Sequence, residues 1–176
     1  LDDLVFGGWD LYEANGYEAA MFARVLNREH LDPAKEFLSG IVPMKAVFDR
    51  RFVRNLDGKY IKEGENLRAH VDALKDDIHR FKAENGVERC VMIWCGSTEV
   101  YLQPEDIHQS VDALQKAIDA NDPRIPPSML YAVAALESDI PFINGAPNLT
   151  VDIPAMIELA SRKNLPIAGK DVKTGQ

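Results

Sequence analysis

Five short stretches of this 176-residue chain bring carboxylate, hydroxyl, amide or amine side chains together, most of them beside glycine. They are Gly7-Gly8-Trp9-Asp10, Phe48-Asp49, Cys95-Gly96-Ser97-Thr98-Glu99, Asn144-Gly145-Ala146-Pro147-Asn148 and Gly169-Lys170-Asp171-Val172-Lys173. Small residues let a backbone approach a ligand closely. Hydroxyls and amides supply hydrogen bonds of the kind ribose and phosphate take. Turns between strands and helices are rich in Gly, Asn, Asp and Ser in any case, so one such stretch is ordinary turn chemistry. Five of them at one sheet edge would make a ligand site. There is no G-x-G-x-x-G, so the residues alone do not single out a dinucleotide. His30, His70, His79 and His108 lie among charged neighbours without paired metal-ligand spacing. No Ser-His-Asp set and no context for a nucleophilic cysteine stands out.

These stretches need elements to position them, and the pattern supplies a strand before each. Leu4 to Phe6, Ala46 to Phe48, Cys90 to Trp94, Pro141 to Asn144 and Leu165 to Ala168 read as strands, the third of them buried. Helices are expected between them. Glu18 to Asn27 carries Ala19, Ala20, Phe22, Ala23, Val25 and Leu26. Asp32-Pro33 reads as an N-cap followed by the first helical position. Val71, Leu74, Ile78 and Phe81 recur at helical spacing within Leu67 to Asn85, which Gly86 stops. Pro104 to Asn121, Pro127 to Ser138 and Ile153 to Lys163 complete the set, and Arg50 to Gly64 reads as a loop. Strands alternating with helices predict an α/β, Rossmann-like fold. Its sheet is mainly parallel, has helices on both faces, and binds ligands at the carboxyl ends of its strands.

Composition bounds the rest. The length fits one domain with a sizeable core. Apolar residues make up 46% and charged residues 27%, an ordinary globular balance. A net charge of −8 argues against a nucleic-acid binder. The apolar runs fall far short of the roughly 20 residues that a membrane span needs. Leu1-Asp2-Asp3 does not look like a secretory signal, so a cytoplasmic protein with reduced Cys90 and Cys95 is expected. Trp9 and Trp94 are expected to pack beside the site, and Lys75-Asp76-Asp77 to form a solvated helix face.

Blocks of this sequence resemble, in order, those of the inositol-3-phosphate synthase family, of a prokaryotic type. They are Gly7 to Asp10, Trp94 to Glu99, Ser128-Met129-Leu130-Tyr131-Ala132, Phe142 to Pro147 and Gly169 to Gln176. The resemblance spans essentially the whole chain. It implies that residues 1–176 are the central and C-terminal part of a Rossmann-like NAD-binding domain. The glycine-rich phosphate loop would lie upstream of Leu1, and a second, oligomerising and catalytic domain would lie outside this chain. It further implies NAD contacts at Asp10, Ala46, Val47, Gly96, Ser97, Thr98, Asn144, Gly145, Ala146 and Asp171, with Asn148 and Lys173 toward substrate. Ser97 stands where the family often has Asn, Val100 where it commonly has Arg, and Lys170 where it has an acidic residue. These departures leave open whether a divalent metal or an ammonium ion is required.

The implied activity is that of an isomerase, an NAD-dependent intramolecular lyase. It converts D-glucose 6-phosphate to 1D-myo-inositol 3-phosphate by oxidation, enolisation, aldol cyclisation and reduction, and it feeds inositol and phospholipid biosynthesis. Such a reaction needs donors for a phosphate dianion, a polarised carbonyl and an enolate. A lysine ammonium suits all three, and the resemblance makes Lys173 the catalytic candidate. It also implies a homotetramer assembled through a domain outside this chain, with no nucleic-acid or membrane partner. Two rival readings stand beside it. One is a non-catalytic sugar-phosphate or nucleotide-binding α/β module, and the other is an NAD-dependent dehydrogenase.

Overall fold

A computed structural model describes residues 4–171. These residues divide into two compact units. One runs to Phe48 and includes Asp57–Lys62; the other consists of Asp49–Leu56 and continues from Glu63.

In the first unit, β1 (Trp9–Asp10) pairs in parallel with β2 (Met44–Lys45), Asp10 lying opposite Lys45. Both strands are displaced from the stretches the pattern favoured. Leu4 to Phe6 lies before β1. The extended chain after β2 leaves β1 and makes an isolated parallel bridge from Ala46 to Ile61, within the stretch read as loop. Helix α1 (Gly16–Ala23) opens on a capping box: the Asn15 side chain accepts the Glu18 N–H at 3.0 Å and Glu18 Oε2 accepts the Asn15 N–H at 3.0 Å. It ends early because Arg24 takes the left-handed backbone (φ 54°), which leaves Val25 and Leu26 outside the helix and exposed. Asp32 is not an N-cap. Helix α2 (Arg28–Leu31) already precedes it, and Asp32–Ala34 forms a 3-10 turn leading to α3 (Lys35–Ser39). Pro33 has no N–H to continue the α2 ladder, and Asp32 Oδ1 instead accepts the Tyr17 hydroxyl at 2.7 Å.

The second unit holds the larger core. Helix α4 (Leu67–Asn85) has the bounds its periodicity predicts. Asn66 caps its start by accepting the Ala69 N–H at 2.9 Å, and Gly86, at φ 62°, ends it in the conformation glycine tolerates best. Val71, Leu74 and Ile78 are buried, while Phe81 lies toward the margin. Pro104 to Asn121 is divided. A 3-10 turn at Asp106–His108 precedes α5 (Val111–Asp119), because Ser110 adopts an extended backbone and accepts the Ala113 N–H at 3.2 Å, starting a new helix. Helix α6 (Pro127–Glu137) is buried from Pro127 to Leu136, as expected of a helix apolar on all sides. Helix α7 (Pro154–Lys163) ends at Asn164 in the left-handed conformation.

The strands of this unit are β3 (Met92–Trp94), β4 (Phe142–Asn144) and β5 (Ile167–Ala168). They form one parallel sheet in the order β3-β4-β5, with Trp94 opposite Asn144 and Ile143 opposite Ala168. The five described strands thus form two parallel sheets rather than one. The stretch read as a buried strand is open on one side: β3 is an edge strand, and Val91 and Ile93 are exposed within this unit. No described helix is long and apolar enough to cross a membrane.

Candidate functional site

The parallel register of the second unit brings three chain turns to the carboxyl ends of β3, β4 and β5. Trp94 and Asn144 end their strands side by side, and Gly145 N–H donates to Trp94 O at 2.9 Å. Beyond Trp94 the residues Cys95, Gly96, Ser97 and Thr98 are exposed. Trp94 packs its indole on Tyr131 with ring centroids 5.2 Å apart. A Cβ on Gly96 would come within 2.8 Å of that indole, so the turn needs a glycine for packing. Val100 N–H then donates to Phe52 O at 2.8 Å. This bond straps the turn to the Phe52–Leu56 segment, and the two segments line an open groove of about 520 Å³ that includes Ser97 and Thr98.

Glu99, also on the wall of that groove, is 3% exposed. Its Oε1 accepts the Ser128 N–H at 2.9 Å, and its Oε2 accepts the Ser128 hydroxyl at 2.5 Å and an Asn148 Nδ2 hydrogen at 3.2 Å. Ser128 is the second residue of α6. That helix starts at Pro127, which has no N–H, and the preceding Pro126 offers no capping side chain. The carboxylate from a distant turn therefore serves as the cap, at the helix end where the peptide dipoles favour negative charge. Thr150 completes the cluster, its Oγ1 lying 2.9 Å from Ser128 Oγ and 3.1 Å from Asn148 Nδ2. Burial pushes the Glu99 carboxyl up to about 7; the negative charge of Asp49 acts in the same direction, against the opposing pull of the two Ser128 donors.

The turn after β4 is closed by its own side chains. Asn144 Nδ2 donates to Asn148 O at 2.9 Å, and Asn144 Oδ1 accepts the Ala146 N–H at 3.0 Å. Asn148 Oδ1 is buried without a hydrogen-bond partner among the described residues. After β5, Gly169 has φ 146°, and a Cβ there would come within 2.9 Å of Asn144 Cβ. Asp171 N–H donates to Ala146 O at 3.2 Å. Lys170 Nζ lies 3.2 Å from Asp152 Oδ2 and 5.1 Å from the Tyr101 ring centroid. Hydrogen bonding to Asp152 raises the Lys170 pKa.

Of the residues singled out from sequence, Gly96, Ser97, Thr98, Asn144, Gly145, Ala146, Asn148 and Asp171 thus gather at the exits of one sheet. Their openness differs. Ser97, Thr98 and Asp171 are exposed, whereas Asn144, Ala146 and Asn148 are buried and bonded within the turn. Asp10, Ala46 and Val47 belong to the first unit. There Asp10 is exposed and its Oδ1 accepts the Tyr12 N–H at 3.1 Å, while Ala46 and Val47 are buried. Lys173 lies outside the described residues. Sequence reasoning passed over Glu99, Ser128 and Thr150 as a cluster. The one local signal was a carboxylate following two hydroxyl residues in an apolar setting.

The open hydroxyls of Ser97 and Thr98, on a groove at the end of a parallel sheet, fit the ribose and phosphate groups of a nucleotide cofactor. Among the described residues, no group of three or more His, Cys, Asp or Glu is placed to hold a metal ion.

Comparison with known proteins shows what the chain as a whole is similar to. An NAD-binding family model described as Myo-inositol-1-phosphate synthase matches residues 1–174. Inositol-3-phosphate synthase 1 of Bacteroides thetaiotaomicron is 49% identical over 177 residues, covering 100% of this chain and 41% of the relative. The inositol-3-phosphate synthase of Citrus paradisi is 35% identical over 179 residues, covering 99% of this chain and 35% of the relative. The crystal structure of inositol-3-phosphate synthase from Caenorhabditis elegans superposes with a TM-score of 0.93 at 30% identity, covering 99% of this chain and 35% of that one. The chain therefore spans less than half the length of the relatives it matches, and its fold is α/β and Rossmann-like.

Proposed function

As this chain belongs to the myo-inositol-1-phosphate synthase family, we propose that its protein is an inositol-3-phosphate synthase. It isomerises D-glucose 6-phosphate to 1D-myo-inositol 3-phosphate with NAD as a recycled cofactor, in the cytoplasm and as a homotetramer. The observation that carries this reading is the match along the whole chain to synthases of that name.

NAD, when bound, supplies a reversible oxidant for one carbon of the sugar. The chain's own residues bind and orient. Ser97 and Thr98 offer hydroxyls, and Gly96 lets the turn lie close to Trp94. Asn144 holds Gly145 and Ala146 in a fixed turn beside them, and Asp171 is tied to the same turn through Ala146. Asp10, Ala46 and Val47 are further cofactor contacts in this reading. Asn148 and Lys173 serve the substrate. Lys173 donates to the oxygen on which charge develops as the proton leaves the neighbouring carbon, the point at which a positioned donor matters most.

Product accounting tests the reading. The natural-length protein, given glucose 6-phosphate and a catalytic amount of NAD+, should form inositol phosphate in excess of the cofactor with no net NADH. Accumulating NADH would identify a dehydrogenase. Bound ligands without product would leave a binding module.

A further inference from the structure

Glu99 has no part in the chemistry described above, yet its carboxylate joins the 95–98 turn to both the start of α6 and the 144–148 turn. It directly follows Ser97 and Thr98 on the wall of their groove, and its carboxylate reaches the start of α6. There it meets Asn148, the last residue of the turn that Asn144 closes. Resting on the synthase reading, we propose that Glu99 is a positioning residue: docked on the first turn of α6, it sets the shape of both the 95–98 and the 144–148 turns, and so the affinity for NAD.

The geometry of Asn148 carries the inference. Its Nδ2 faces three oxygens, Glu99 Oε2 at 3.2 Å, Ser128 Oγ at 3.2 Å and Thr150 Oγ1 at 3.1 Å, while its Oδ1 is buried with no partner among the described residues. An amide left to itself would bring that oxygen to a donor. An ionised carboxylate accepts only, so it demands the nitrogen and leaves the oxygen stranded. The carbonyl of the same residue accepts from Asn144, so turning Asn148 disturbs the whole exit turn.

A proton on Glu99 removes the demand. The new O–H donates to Ser128 Oγ, the serine hydroxyl turns toward Thr150, and the Asn148 amide is free to turn over. The charged groups around the cluster are Asp49, whose charge acts on Glu99 and which is paired with Arg51, and Asp152, which accepts the Thr150 N–H and is paired with Lys170. Burial places the Glu99 proton near neutrality, where binding can be measured on either side of it.

The test is equilibrium dialysis of NAD+ with the natural-length protein from about pH 6 to about pH 8, for wild type and Glu99→Gln. Infrared difference spectra, wild type minus variant, follow the protonated carboxyl band in parallel. Wild type should lose affinity by roughly tenfold toward low pH, a change of about one decade in Kd, with the midpoint of the carboxyl band. Glu99→Gln should bind weakly and without that pH dependence. A purely structural role would lower affinity but leave the pH dependence in place. Ser128→Ala keeps the helix and removes one link; it should show a smaller loss, and it carries the test if Glu99→Gln does not fold. Wild-type affinity and pH dependence retained in both variants would overturn the inference alone. No NAD+ binding by wild type at any pH would overturn it together with the synthase reading.

Discussion

Glu99 makes a quantitative prediction about stability. Its carboxyl titrates near 7 in the folded protein, against 4.5 for an unburied glutamate. The folded pKa is raised, so the folded state holds its proton over a range where the unfolded chain has lost it. Stability therefore falls as pH rises from the unfolded value toward the folded one, and the penalty is constant above it. At about 1.4 kcal/mol for each tenfold change, the full gap is worth about 3 kcal/mol. Between about pH 5.5 and about pH 8 the penalty grows by about 2 kcal/mol. Glu99→Gln removes the ionisable group and keeps the shape. Asn148 can then present its unpartnered Oδ1 to the new amide. Exchanging the neutral carboxyl for an amide changes the hydrogen bonds of the cluster by about 1 kcal/mol, a difference that does not vary with pH. The informative quantity is thus the change, with pH, of the difference between variant and wild type. Urea unfolding followed by circular dichroism at both pH values supplies it, because all other titrations cancel in the subtraction. The variant should gain about 2 kcal/mol on wild type at the higher pH. A difference that stays constant, or moves the other way, would refute the reasoning.

Three further outcomes follow from the same geometry. Gly169→Ala places a Cβ against Asn144 in a backbone region that suits glycine, and it should lower stability by about 1–3 kcal/mol, read as a shift of the urea midpoint. Asn144→Ala removes two buried hydrogen bonds that close the β4 exit. It should lower stability by about 1–3 kcal/mol and weaken NAD+ binding in equilibrium dialysis. Ser97→Ala combined with Thr98→Val alters only exposed hydroxyls. Thermal denaturation should be almost unchanged, within about 0.5 kcal/mol, while NAD+ affinity falls by roughly tenfold or more.

What could be read from the sequence was what local chemistry decides. Helix α4 announced itself through its apolar spacing and Gly86, and the bounds read for α6 and α7 agree with the structure to within one residue. The glycine and polar residues beyond β3, β4 and β5 do gather, because parallel strands deliver their carboxyl ends to one edge. Other features depended on partners far along the chain. The move of Ala46 from β1 to Ile61 is a tertiary choice. So is the left-handed Arg24 that stops α1, a conformation its residue type does not favour. Asp32-Pro33 carries the residue types of a helix start, yet α2 was already running into it. Glu99 looked like one more polar turn residue, because Ser128 and Asn148, which define its role, lie 29 and 49 positions away.

The central claim is that this chain belongs to a synthase in which Lys173 acts on the substrate. The most direct measurement compares wild-type and Lys173→Ala natural-length protein for inositol phosphate formed from glucose 6-phosphate with NAD+, alongside NAD+ binding to each. The account predicts NAD+-dependent product from wild type, and a variant that binds NAD+ as tightly but forms product at least roughly a hundredfold more slowly. Equal product formation by the variant would contradict the role of Lys173, and no product from wild type would contradict the synthase itself.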